Sequence, residues 1–90
     1  MEGNSMKEFT YTIKDEQGIH ARPAGLLVKL AAGFQSNITI GKDGRDMDAK
    51  RIFGVMGLGA KKGADVVIKA DGPDEAEAIA SLQKFMEENL

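Results

Sequence analysis

The hydrophobic residues of this 90-residue chain change period several times along its length, and that alternation restricts the available architectures more than any other feature. Phe9, Tyr11 and Ile13 alternate with Thr10, Thr12 and Lys14, which predicts a half-buried strand. After the polar turn Asp15-Glu16-Gln17-Gly18, the apolar residues Leu26, Leu27, Leu30, Ala31 and Phe34 fall at helical spacing. Pro23 suits the first turn of that helix and Gly33 its C-terminal cap, so a helix is predicted over about Arg22 to Ala32. Period two returns at Ile38 and Ile40 and again at Met47 and Ala49. The Lys42-Asp43-Gly44-Arg45 link between these runs carries the Asp-Gly pair of a type I′ hairpin. A short glycine-weakened helix is expected at Ile52, Phe53, Val55, Met56 and Leu58, and a strand over Asp65–Ala70. A last helix starts at Gly72-Pro73-Asp74-Glu75 and carries Ala76, Ile79, Ala80, Leu82 and Met86 as its apolar stripe. The order β-α-β-β-α-β-α predicts an α+β fold, with three helices packed on one face of a four-stranded, mostly antiparallel sheet.

A chain of this length supports one two-layer core, expected over residues 6–90. Met1 to Ser5 are polar and precede a second methionine; they read as a flexible leader or a cloning remnant outside the fold. The chain has no cysteine and one histidine, so it lacks a disulfide framework and the usual ligand set of a zinc or haem site; no metal or other cofactor is expected. The longest apolar run, Gly25 to Phe34, is broken by Lys29 and is far shorter than the roughly 20 residues of a membrane span. No export signal opens the chain, and a cytoplasmic protein without membrane insertion is the expectation.

Charge is nearly balanced, with 12 basic and 14 acidic residues, but unevenly placed. Gln17 to Lys42 contains no acid while carrying Arg22, Lys29 and Lys42. The same holds from Ala49 to Ala64, with Lys50, Arg51, Lys61 and Lys62. The acids gather late, at Asp71, Asp74, Glu75, Glu77, Glu87 and Glu88. The net charge of −2 and the lack of aromatics beside the basic groups argue against a nucleic-acid binder. A small anion or an acidic protein patch is the better counterpart for those cations.

The sole histidine, His20, stands in GIHARPAGLL at the entrance to the first predicted helix. The backbone N–H groups of Ala21, Arg22 and Ala24 are expected to lack intrahelical partners there, and the helix dipole adds partial positive charge. A phosphoryl group on the imidazole would meet those donors, with the Arg22 guanidinium in reach of its oxygens. The same dipole disfavours an imidazolium and keeps a neutral ring nitrogen available as nucleophile. From these residues alone His20 also reads as a polar helix-end residue, Arg22 as a solvated side chain, and Phe53 with Met56 as core.

GIHARPAGLLVKLA resembles the active-site segment of the HPr family, the histidine-containing phosphocarriers of the bacterial phosphoenolpyruvate-dependent sugar phosphotransferase system. DAKRIFGVMGLGAKKGADVVIKADGPDEAEAI resembles the remainder of the family's pattern, so the likeness covers nearly everything after Ser5. It implies an open-faced β-sandwich and a phosphoryl relay component that is not an autonomous enzyme. His20 would accept the group on Nδ1 from phosphorylated enzyme I and pass it to sugar-specific IIA proteins or domains. Arg22 matches the family's active-site arginine, and Ala21, Pro23 and Ala24 match the rest of its H-x-R-P-A motif. Gly25, Ile52, Phe53 and Met56 fall where the family docks its partners, and a monomer is the family's usual state. Many Gram-positive members carry a regulatory serine immediately after the lysine corresponding to Lys50; here that position is Arg51, which has no hydroxyl to modify. Two neighbouring readings share the same residues: a regulatory binding module that no longer transfers phosphate, and a carrier in a nitrogen-type signalling branch.

Overall fold

The computed structural model describes residues 6–90, so the leader expected at residues 1–5 lies outside the described part. The elements are β1 (Lys7–Thr12), α1 (Ala21–Ala32), β2 (Asn37–Lys42), β3 (Arg45–Asp48), α2 (Ile52–Gly57), β4 (Asp65–Asp71) and α3 (Glu75–Asn89), in the expected order. The sheet runs β1-β4-β2-β3 with every pairing antiparallel. Because β4 enters between β1 and β2, the last strand in sequence is central, and it buries Val66, Ile68 and Ala70 on one face. Its opposite face carries Asp65, Val67, Lys69 and Asp71, with no helix layer above it, which makes the sandwich open-faced. The hairpin expected at Asp43-Gly44 forms, and positive φ values of 54° and 81° at its two central residues are those of a type I′ turn.

The core lies between that sheet and the helices, with Ile13, Leu27, Ile38, Ile40, Val55, Val66, Ile68, Leu82 and Met86 fully enclosed. Each such side chain contributes about 1.5–3 kcal/mol by leaving water. Two phase assignments differ from those predicted from spacing. In α1 the buried stripe is Pro23, Ala24, Leu27 and Ala31, and Leu26 points outward at 48% exposure. In α3 the stripe is Ala78, Leu82 and Met86, whereas Ala76 and Ala80 face solvent. The physical reason is the same in both helices: apolar residues occur around more of the circumference than one face can bury, and only docking against the sheet selects which of them turn inward.

Asp74 has an unexpected role in the layout. Although it is the N-cap residue of α3, its side chain makes no capping bond. Its carboxylate instead accepts the backbone N–H groups of Gln35 and Ser36, each at 2.9 Å, and the Ser36 hydroxyl at 2.5 Å. The start of β2 is thereby tied to the start of α3. The Ser36 hydroxyl and the Gln35 N–H hold the Asp74 carboxyl below its ordinary value, against an opposing effect of desolvation. A carboxylate lowered on folding adds stability above its unfolded value, near 3.9, and that stability is lost as pH falls through the lower folded value. Asp74→Asn should therefore melt below the parent at pH 7, and the gap between their melting temperatures should narrow below about pH 4. A gap that stays constant down to pH 2.5 would show that the carboxylate charge has no part in the tie.

Candidate functional site

The loop leading to α1 is held from two sides. The N–H groups of Lys14 and Asp15 donate to the Leu90 carbonyl oxygen at 2.6 and 2.8 Å, and the Ile19 N–H donates to the Ala60 carbonyl at 2.9 Å. At Gly18, φ is +68°, and a Cβ there would lie 2.7 Å from the Lys61 Cα and closer still to the Ala60 carbonyl oxygen. Only glycine meets both demands, which explains its place two residues before the histidine.

His20 follows in extended conformation, with φ −102° and ψ −176°, as the N-cap of α1. Its side chain makes no capping bond and remains about one-third exposed (37%). The residue's carbonyl closes the first helical turn by accepting the Ala24 N–H at 2.9 Å. This corrects the expectation that the Ala24 donor is free: with His20 as N-cap, Ala24 is the first residue whose i−4 carbonyl lies within the helix. Pro23 has no N–H, so Ala21 and Arg22 carry the open donors at this end.

His20, Arg22, Pro23 and Leu26 line a shallow, solvent-open depression together with Asp15 and Asn89. Asp15 is not among the site residues expected from the sequence, in which it lies just outside the acid-free run from Gln17 to Lys42. The turn carries it back to the histidine, where its Oδ1 lies 3.9 Å from His20 Nε2. The signal that could have found it is the Asp15-to-Gly18 turn itself, closed by Gly18 N–H to the Asp15 carbonyl at 3.0 Å and by Gln17 N–H to Asp15 Oδ1 at 2.8 Å. The basic cluster is correspondingly thinner than the charge map implied. The Lys62 ammonium pairs with Glu16 at 2.6 Å, Lys42 with Asp43 at 3.3 Å, and Lys50 Nζ donates to the Phe34 carbonyl at 2.8 Å. Among the described residues, Arg22, Lys29, Arg51 and Lys61 have no acidic partner.

The Lys50 bond also fastens the lead-in of α2 to the end of α1, and the two helices pack together. A Cβ at Gly25 would meet Ile52 Cδ1 at 3.8 Å, an ordinary contact, so Ile52 closes over α1 and is half-buried. Phe53 is 87% exposed and Met56 41% exposed. The core reading of those two residues is thus excluded: Val55 and Leu58 take the inward positions of the segment. Leu26, misassigned to the core by spacing, joins Phe53 and Met56 as an exposed large hydrophobic residue on the paired helices. No described helix is long and apolar enough to cross a membrane.

Comparison with known proteins agrees with this geometry along nearly the whole chain. The family model described as "PTS HPr component phosphorylation site" matches residues 7–88. The histidine-containing phosphocarrier protein of Mycoplasma is similar in structure, with 39% identity, a TM-score of 0.88, and coverage of 91% of this chain and 93% of that one. HPr of Thermoanaerobacter tengcongensis shows 46% identity and a TM-score of 0.86, covering 90% of this chain and 91% of its own. HPr of Bacillus anthracis str. Ames shows 35% identity and a TM-score of 0.85, covering 92% and 99%. With a family model and solved relatives spanning about nine-tenths of its length, the chain belongs to the HPr family, phosphocarriers that relay phosphoryl groups through a phosphohistidine in the bacterial phosphotransferase system rather than acting as autonomous enzymes.

Proposed function

We propose that His20 receives the phosphoryl group on Nδ1 from phosphorylated enzyme I and donates it to IIA proteins or domains of sugar permeases in the cytoplasm. The observation that carries this reading is the open imidazole at the N-cap of α1, with two uncommitted backbone donors beside it and no side-chain bond to break before reaction. The N–H groups of Ala21 and Arg22, together with the Arg22 guanidinium, cradle the phosphoryl oxygens. Ala24, whose N–H is engaged, acts only through the dipole of the turn it closes. Stabilisation of a charge by an exposed helix start is about 0.3–1 kcal/mol, weak enough to let a transferred group leave again. Gly25, Ile52, Phe53 and Met56, extended by Leu26, form the surface on which both partners dock.

Incubation with phosphoenolpyruvate and a bacterial enzyme I should add one acid-labile phosphoryl group by intact mass, and His20→Ala should add none. A folded parent that stays unlabelled while an authentic carrier is labelled in the same tube would exclude the carrier reading. Arg51 stands where many Gram-positive members of the family carry the regulatory serine, and we infer that the serine switch is lost. Incubation with the HPr serine kinase and ATP should leave the mass unchanged; a stable phosphoryl group mapped to α2 or its lead-in would defeat that inference.

A further inference from the structure

We propose that Asp15 is a positioning residue for phosphoryl transfer: its carboxylate holds the proton of His20 on Nε2 and so presents Nδ1 as the bare nucleophile. The inference rests on the carrier reading above. Its starting point is the 3.9 Å separation between Asp15 Oδ1 and His20 Nε2 across a solvent-open depression. That distance is beyond a hydrogen bond, and a small rotation of the imidazole closes it; such contacts commonly tighten only when the reacting partner is present.

The remaining surroundings of the imidazole make Asp15 the side chain that can discriminate between its nitrogens. Arg22, from α1, is a donor only and cannot accept a ring proton. Asn89, at the end of α3, is uncharged, so its amide oxygen is a weaker acceptor than the carboxylate, and Pro23 and Leu26 are apolar. The carboxylate itself is fixed in place. Its own backbone N–H is bound to the Leu90 carbonyl, its carbonyl takes the Gly18 N–H, and Oδ1 takes the Gln17 N–H. A neutral imidazole has one N–H and one lone pair, so the carboxylate beside Nε2 selects the tautomer with the lone pair on Nδ1.

The same contact acts on the product. The Nδ1 lone pair forms the new bond to phosphorus while the bond between phosphorus and the donor breaks, its electron pair leaving on the donor. His20 keeps its Nε2 proton, and the phosphorylated ring therefore carries a positive charge until that proton departs. The Asp15 carboxylate stabilises this cationic form, in which the ring is the better leaving group for onward transfer. It also offsets the helix dipole, which opposes positive charge at the start of α1.

The test uses Asp15→Asn, because the asparagine carbonyl oxygen can still accept the Gln17 N–H and keep the turn while removing the charge. Long-range nitrogen–proton NMR of His20 should show mainly the Nε2–H tautomer in the parent and a loss of that preference in the variant. Labelling from phosphorylated enzyme I should slow about 3- to 10-fold in kcat with little change in KM, as for loss of a modest charge contact acting on the reacting ring. The pH profile of phosphoryl loss should move toward lower pH, because the variant lacks the carboxylate that favours the cationic ring. Unchanged tautomer populations and an unchanged pH profile in a folded Asp15→Asn would overturn the proposal even if labelling continued. A parent that is not labelled at all would remove the carrier reading instead, and the tautomer measurement, made on the unphosphorylated protein, would still decide what Asp15 does.

Discussion

Gly18→Ala should lower the melting temperature by about 8–40 °C, a large stability effect for a single added methyl group. Two costs combine. An L-residue in the left-handed region loses roughly 1–2 kcal/mol relative to glycine, and Gly18 has φ +68°. The added carbon would also press on backbone, the Ala60 carbonyl oxygen and the Lys61 Cα, where no flexible side chain can yield. Overpacking of that kind costs typically 1–3 kcal/mol more. In a domain of this size each kcal/mol shifts melting by about 4–8 °C. The strain is relieved by separating the 18–19 segment from 60–61, which would break the Ile19 N–H bond to Ala60 and displace His20. Thermal unfolding followed by circular dichroism checks the first effect, and labelling by enzyme I, measured well below the transition, checks the second. A melting temperature within about 3 °C of the parent would show that the loop deforms freely and does not place His20 rigidly.

The second large effect concerns function with little change in stability. Phe53→Ala should reduce kcat/KM for phosphoryl gain from phosphorylated enzyme I by about 30-fold or more, the consequence of losing roughly 2 kcal/mol at an aromatic anchor of an interface. Its melting temperature should stay near that of the parent, because a side chain 87% exposed makes few contacts within the chain. Leu26→Ala and Met56→Ala remove smaller and less exposed groups from the same surface, and their transfer defects should be smaller. The loss should appear in KM more than in the rate of a saturated complex, since Phe53 is not among the residues lining the His20 depression. Transfer at the parental rate by a folded Phe53→Ala would place the docking surface elsewhere.

These two residues also mark how differently parts of the site were legible. Gly18 was readable as a turn residue, but the backbone that passes beside it belongs to residues 60–61, far along the chain. Phe53 and Met56 were visible as apolar positions in a short helix, yet spacing could not say which side of that helix meets the sheet. A six-residue helix makes fewer than two turns, too few for periodicity to determine a face.

Local patterns were sufficient for the order of seven elements, the type I′ hairpin, the proline-started helix and the identity of the histidine, because each depends on neighbours a few residues apart. The pairing of β4 between β1 and β2, the outward turn of Leu26, the inward turn of Ala78, the engagement of Ala24 N–H and the tie from Asp74 to Ser36 all required the folded chain. So did the meeting of Asp15 with His20: a run of acid-free sequence describes distance along the chain, whereas a charge acts through space across a turn. Periodicity determines which residues form helices and strands, because backbone geometry repeats locally. Burial, docking and the second charged group of the site were decided only by tertiary packing, because they arise where segments distant in sequence compete for the same volume.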